Sequence, residues 1–242
     1  AERAGVEVRT GVAYLGNTGD AVLTSGGAIA AGYVINAAGL YADRVARDFG
    51  IAGRYRILPF KGLYLHASRD APPLHTNIYP VPDLATPFLG VHFTVTVDGG
   101  VTIGPTAVPA FWREQYRGIA NFSLREFLEV TRLEGYMFLG DRAGFRSVAV
   151  RELPKYWKRV LADRAAALAD GVLPRHFRRW GPAGIRAQLV DIERYALVTD
   201  FKIEGDNRSF HILNAVSPAF TCAMPFAEFV LDEIETRLER TG

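Results

Sequence analysis

The sequence predicts a mixed α/β (α+β) fold with a largely antiparallel sheet, and three stretches carry that expectation. In residues 77–110, Val91, Phe93, Val95 and Val97 alternate with His92, Thr94 and Thr96 as in a half-buried strand. Asp98-Gly99-Gly100 supplies the turn, and Val101 and Ile103 resume the alternation until Gly104-Pro105. In residues 33–49 a buried strand, Tyr33-Val34-Ile35, passes through Asn36-Ala37-Ala38-Gly39 into a helix from Leu40 to Phe49. From Ser123 onward the periodicity becomes helical.

Taken in order, the short apolar runs of residues 5–37 are separated by glycines, Asn17 and Asp20, which predicts a small meander before the buried strand. The small residues Ala37, Ala38 and Gly39 admit close approach of a ligand or another strand, and helix amides opening after Gly39 can face an anion. Ordinary strand-to-helix packing explains the same residues. Arg56 to Leu65 reads as a strand interrupted near Pro59 and Gly62. The hairpin that follows packs Val91, Phe93, Val95 and Val97 on a core. Its other face offers His92 and threonines, with Tyr79 and Thr106 in the end loops, and either roofs a small-molecule cavity or meets water.

Ser123-Leu124-Arg125-Glu126 has capping-box spacing, with Phe127, Val130 and Thr131 following on one face. A second helix is predicted over Leu153 to Ala169, where Tyr156, Trp157, Val160, Leu161, Ala165 and Leu168 form a core stripe ended by Gly171 and Pro174. Arg175, Arg178 and Arg179 read as a solvated face. In GPAGIRAQ a tight loop enters a strand on which Arg186 and Gln188 share a face. The planar fork of Arg186 suits a carboxylate, either of a ligand or of a structural ion pair. Ser209 to Asn214 makes a strand, Asn214 to Thr221 a loop, and Ala223 to Arg240 a helix buried through Phe226, Phe229, Val230, Ile234 and Leu238, with Pro225 in its first turn. Strand, small-residue loop and helix start together favour negative charge. Cys222 reads as a packed small residue.

A chain of 242 residues that is 49% hydrophobic can bury a core as one large domain or two small ones. A net charge of +2 with dispersed arginines argues against a nucleic-acid partner. No apolar run reaches the length of a transmembrane segment. One cysteine excludes an internal disulfide and suits a reducing compartment, and five scattered histidines offer no metal site. A start at Ala1, at a helix end running into a strand, leads us to expect a fragment.

Five segments in order, YVINAAGLYADRVA, ILPFKGLYL, NIYPVPD…PFLGVHFT…DGGVTIGPTAVPAF, GPAGIRAQ…LVTDF and HILNAVSPAFTCA, resemble the L-2-hydroxyglutarate dehydrogenase/oxidase family. That family lies within the D-amino-acid-oxidase-like FAD-dependent oxidoreductases. The resemblance implies parts of an FAD-binding domain at residues 1–53 and 201–242 and a substrate domain at 54–200. It implies flavin contacts at Val12, Ala37, Ala38, Gly39, Lys61, Gly62, Ala215, Ser217, Pro218, Ala219 and Thr221. It implies oxidation of a small 2-hydroxy acid to the 2-oxo acid by hydride transfer to flavin N5. Arg186 is then the candidate for the substrate carboxylate. Tyr79 and His92 are candidates for orienting or deprotonating the hydroxyl, although His92 serves equally as a hydrogen-bonded sheet residue.

The departures are the missing strand–GxGxxG–helix unit, Thr106 in place of Asn, and Phe220-Thr221-Cys222 in place of small residues. The missing unit implies that this chain alone binds FAD weakly or not at all and is inactive. A cytoplasmic location, or one peripheral to a membrane, is expected, and the electron acceptor stays open. A flavin amine or amino-acid oxidase and a non-catalytic fragment are the competing readings.

Overall fold

The computed structural model describes residues 2–81, 90–216 and 220–239. Its strands are β1 (Tyr14–Asn17), β2 (Ala21–Thr24), β3 (Gly27–Ala30), β4 (Val34–Asn36), β5 (Tyr55–Gly62), β6 (Leu65–Ala67) and β7 (His92–Val95). They continue with β8 (Val101–Gly104), β9 (Val108–Pro109), β10 (Phe177–Trp180), β11 (Gly184–Asp191), β12 (Ala196–Leu197), β13 (Lys202–Gly205) and β14 (Ser209–Asn214). The helices are α1 (Ala42–Asp48), α2 (Leu124–Leu139), α3 (Phe145–Glu152), α4 (Lys158–Ala166) and α5 (Ala223–Glu239). Two compact units result, one from Ala1–Tyr55 with Asp200–Gly242 and one from Arg56–Thr199.

In the first unit the glycine-separated runs form the antiparallel meander β1-β2-β3. A second sheet, β13-β14-β4, pairs β14 antiparallel to β13 and parallel to β4. Phe210 of β14 is fully buried against Val230 and Ile234 of α5, with Phe226 packed beside them. Phe229 and Leu238, expected in the same stripe, are exposed at 44% and 42%. A sheet three strands wide covers only a narrow strip of helix, so the flanks of the stripe stay in water. β4 also inverts the sequence pattern: Ile35 is half exposed and Asn36 is buried. The polar side chain goes inside because it has hydrogen bonds to make there. Cys222 is exposed rather than packed.

The second unit holds the antiparallel sheet β10-β6-β8-β7 and the sheet β12-β11-β5-β9. The hairpin forms in the expected register, with Val95 opposite Val101, Phe93 opposite Ile103 and His92 opposite Gly104. Gly99 takes the positive φ the turn requires, +78°, and Thr96 N–H donates to the Gly100 carbonyl at 2.8 Å. Phe93 and Ile103 are fully buried with Leu65, Leu161 and Phe177. Val97 is not core, because the strand ends at Val95 and leaves Val97 in the turn, wholly exposed.

β5 runs unbroken through Pro59, whose carbonyl accepts from Ala110 N–H at 3.1 Å, and the interruption falls after Gly62 instead. Leu58 and Phe60 of β5 pack on Val130 and Met137 of α2 and on Phe145, Val148 and Ala149 of α3. Ser123 caps α2 by accepting from Glu126 N–H at 3.4 Å, while the Glu126 carboxylate accepts from Arg113 N–H at 3.0 Å. The buried face of α2 is Glu126, Val130, Glu134 and Met137, and Thr131 points outward. Pro154 and the extended Trp157 divide the predicted second helix into a 3₁₀ turn, Leu153–Tyr156, and α4. α3 precedes it without having been expected, and Trp157 is 66% exposed rather than core.

Candidate functional site

In the first unit the turn after β4 is organised by Asn36. Its amide nitrogen donates to the Ala42 carbonyl at 2.9 Å and to His211 Nδ1 at 3.0 Å, and its oxygen accepts from Ala38 N–H at 3.0 Å. An amide nitrogen only donates, so His211 Nδ1 must accept and the ring proton sits on Nε2. Nε2 then donates to Ser209 Oγ at 3.0 Å, and Ser209 Oγ donates to Asp206 at 3.1 Å. Burial lowers the His211 pKa and keeps the ring neutral in this relay. The product is a small-residue turn whose Ala37, Ala38 and Gly39 are all exposed. Gly39 has φ +52°, and a Cβ there would meet nothing within 4 Å. Val12 is exposed and lies against Gly26, and Ala215 and Thr221 are exposed as well. Ser217, Pro218 and Ala219 lie outside the described residues.

This unit also has a cavity of about 190 Å³ lined by Asp20, Asp206 and Arg208 among others. Its polar groups are already engaged: Asp206 accepts from Arg208 and Ser209 N–H, and Arg208 meets Asp20 at 3.9 Å.

The second unit holds a larger cleft, of about 510 Å³, whose lining includes Lys61, Tyr116, Arg117, Tyr156, Trp180 and Gly181. Each lining element is pinned. Thr106 Oγ1 donates to the Lys61 carbonyl at 2.9 Å and accepts from Leu63 N–H at 3.0 Å, which fixes the end of β5. Gly62 permits the approach of Pro105, since a Cβ there would lie 3.1 Å from the Pro105 side chain. The loop bearing Tyr116 and Arg117 is held by Phe111 N–H to Gln115 at 2.8 Å and Trp112 Nε1 to Ala120 at 3.0 Å. Tyr156 Oη donates to the Pro109 carbonyl at 2.7 Å. Lys158 donates to the Arg178 carbonyl at 2.7 Å and its ammonium lies 5.8 Å from the Trp180 ring centroid.

Lys61 is 8% exposed, and burial lowers its pKa. Burial also pushes the Tyr156 phenol up to about 12, with the nearby Glu134 adding to the effect. Glu134 is itself buried, its Oε1 has no hydrogen-bond partner among the described residues, and desolvation raises its pKa to about 8. At neutral pH it is mostly a neutral acid.

Tyr79 and His92 are brought together, stacked at 4.3 Å between centroids with His92 buried beneath. His92 Nδ1 lies 2.9 Å from the Gly90 carbonyl, which can only accept, so in the neutral ring Nε2 keeps the free lone pair. The pair does not join the Lys61 cleft. Gly104, which opposes His92, abuts Leu63 of the cleft lining, so His92 stands two strand spacings, about 10 Å, from the near edge of the cleft. Arg186 is exposed on β11, the neighbour of β5 that begins just after the Gly181–Ala183 segment of the cleft. Gln188, expected beside it, is buried and donates to the Val198 carbonyl at 2.7 Å.

Tyr116, Arg117 and Glu134 were not singled out from sequence, and Tyr156 was assigned to a core stripe. A glutamate at an apolar position of the α2 stripe was a usable signal. Apart from Lys61, which the resemblance singled out as a flavin contact, the cleft residues gave none, since they converge from four separate segments.

The family model described as FAD dependent oxidoreductase (DAO) matches residues 1–232. A mitochondrial L-2-hydroxyglutarate dehydrogenase of Bos taurus is 35% identical over 233 residues, covering 89% of this chain and 47% of that protein. The L-2-hydroxyglutarate dehydrogenase of Escherichia coli K12 is 35% identical over 225 residues, covering 88% of this chain and 50% of that protein. The chain thus spans about half the length of the curated relatives it matches. Among solved structures, the FAD-bound L-α-glycerophosphate oxidase of Mycoplasma pneumoniae aligns with a TM-score of 0.62 at 17% identity, covering 98% of this chain and 53% of that one. Glycine oxidase of Bacillus cereus aligns with a TM-score of 0.52 at 13% identity, covering 97% and 52%. Both share its fold.

Proposed function

Because the chain belongs to the DAO family of FAD-dependent oxidoreductases, we propose that its protein oxidises a 2-hydroxy acid of the L-2-hydroxyglutarate type to the 2-oxo acid. The observation that carries this reading is the match at 35% identity, over nearly nine tenths of the chain, to relatives that bear one activity in their names. Residues 54–200 are the substrate domain, and residues 1–53 and 201–242 contribute to the flavin domain.

The described residues fit one side of a dinucleotide. The exposed Ala37–Gly39 turn, where a Cβ on Gly39 would meet nothing within 4 Å, lets a nucleotide approach the backbone. Among them there is no strand, glycine-rich turn and helix to cradle a pyrophosphate, so this chain alone holds FAD weakly. When bound, the flavin supplies the acceptor, at N5, for the hydride leaving the substrate α-carbon.

Arg186 binds the carboxylate next to the reacting carbon, where a planar guanidinium fixes both oxygens and so the rotation of the α-carbon. Tyr79 and His92, a stacked pair outside the lining of the Lys61 cleft, take a supporting role and not that of the base. No helix among the described residues is long and apolar enough to cross a membrane. With a single cysteine this chain suits a reducing compartment, so its protein is placed in the cytoplasm or at a membrane surface facing it.

The absorption spectrum tests the reading. The purified 242-residue chain should be colourless or nearly so, whereas a protein of the relatives' full length containing it should carry one FAD. A colourless full-length protein would sink the proposal.

A further inference from the structure

The cleft of the second unit has a charge problem that its own residues do not solve. Lys61 is 8% exposed, yet no carboxylate among the described residues pairs with it, and none lines the cleft. Arg117 stands at the same cleft and adds a second positive charge. Glu134, whose charge bears on the Tyr156 phenol, is buried on α2, lies outside the cleft lining and does not answer them. A lysine is seldom buried without a partner, because stripping water from an ammonium is costly unless an anion replaces it. About 510 Å³ is ample for a small organic acid, and the Tyr116 hydroxyl and Trp180 ring offer a polar and an apolar wall.

Two cationic sets therefore sit on adjacent strands: Arg186 on β11, and Lys61 on β5 with Arg117 beside it. Gly62 and Gly184 mark how close these strands come, since a Cβ on Gly62 would lie 3.8 Å from the Gly184 carbonyl oxygen. One carboxylate satisfies one set. We propose that the Lys61 cleft is the subsite for the second, distal carboxylate of a dicarboxylic 2-hydroxy acid, with Lys61 as its anchor, in place of the flavin contact that the family resemblance implies for it, and Arg117 at its mouth. This rests on the 2-hydroxy acid reading above and deepens it, because it makes Lys61 the residue that separates dicarboxylic from monocarboxylic substrates.

Trp180 lies in the cleft, so tryptophan fluorescence of the purified chain reports occupancy directly. The probes are glutarate, butyrate and inorganic phosphate, titrated into the wild type, Lys61→Met and Arg117→Gln, with circular dichroism confirming that each variant is folded. Glutarate should bind at least about tenfold more tightly than butyrate, the scale of one charge-assisted hydrogen bond. Lys61→Met should remove that preference, and Arg117→Gln, at an exposed position, should weaken glutarate by a few-fold.

Absence of saturable glutarate binding, or a preference that survives Lys61→Met, overturns the subsite. Phosphate that binds as tightly as glutarate with the same Lys61 dependence also overturns it, in favour of a cofactor phosphate. Should Lys61→Met fail to fold, equal binding of glutarate to the wild type and Arg117→Gln decides against it. The parent reading fails separately. Lys61-dependent glutarate binding in a protein whose full-length form never reduces its flavin removes the reaction and leaves the subsite, while dicarboxylate oxidation with an unchanged KM in Lys61→Met does the reverse.

Discussion

Replacing Glu134 by glutamine should change the pH dependence of stability more than its level. The carboxyl lies on the buried face of α2, 9% exposed, and desolvation lifts its pKa from 4.5 to about 8. At about 1.4 kcal/mol per pH unit, ionising it in place costs up to roughly 5 kcal/mol. Relaxation and water entry reduce this, and roughly 3 kcal/mol is the expected net effect. The sign follows from proton counting. Between pH 4.5 and about 8 the folded chain holds a proton that the unfolded chain has released, so stability falls as pH rises through that window and levels off above it. The glutamine of the Glu134→Gln variant has no proton to lose.

The stability gap between the variant and the wild type should therefore widen from pH 5 to 8, by roughly 3 kcal/mol in all. Urea titrations followed by tryptophan emission isolate the effect, because Trp112, Trp157 and Trp180 all belong to the Arg56–Thr199 unit. His211 has its pKa lowered by burial and so loses its contribution as pH falls below its ordinary value of 6.5. It belongs to the other unit and is common to both proteins, so it cancels. A gap that stays flat across pH 5 to 8 would refute the buried neutral acid. A gap that narrows would mean the carboxylate is ionised beside an unseen cation.

Three further outcomes are expected. Gly104→Ala should destabilise the second unit by roughly 3 kcal/mol or more, visible as a lowered melting temperature. Its φ is +129° and a Cβ would strike the Leu63 carbonyl oxygen, so a melt that does not move would contradict the described backbone. In a flavin-loaded full-length protein, Arg186→Ala should raise KM for the hydroxy acid by roughly tenfold or more, and an unchanged KM removes its assignment. His92→Gln should lower kcat by less than about tenfold, since general bases contribute roughly 10² to 10⁴; a larger loss would make His92 the base.

The hairpin was legible because alternation, turn glycines and terminator are all local, and its register followed. The strand-to-helix turn was legible for the same reason. Burial was less so. Ile35 and Asn36 exchanged places because the Asn36 side chain satisfies Ala38, Ala42 and His211, the last from a strand 175 residues away. Trp157 and Val97 looked like core by spacing alone, but one follows the helix break at Pro154 and the other sits past a strand end. The Lys61 cleft was hidden most deeply, because Lys61, Arg117, Tyr156 and Gly181 meet only through tertiary packing. The chemistry of the family came from resemblance over the whole length, not from any one residue pattern.

The most direct test is an anaerobic half-reaction of a full-length, FAD-loaded protein containing this chain. Mixing with L-2-hydroxyglutarate should bleach the oxidised flavin band and yield one 2-oxo acid per flavin, with no bleaching by L-glutamate. A flavin that stays oxidised with the hydroxy acid, or is reduced by the amino acid instead, would contradict the function assigned here.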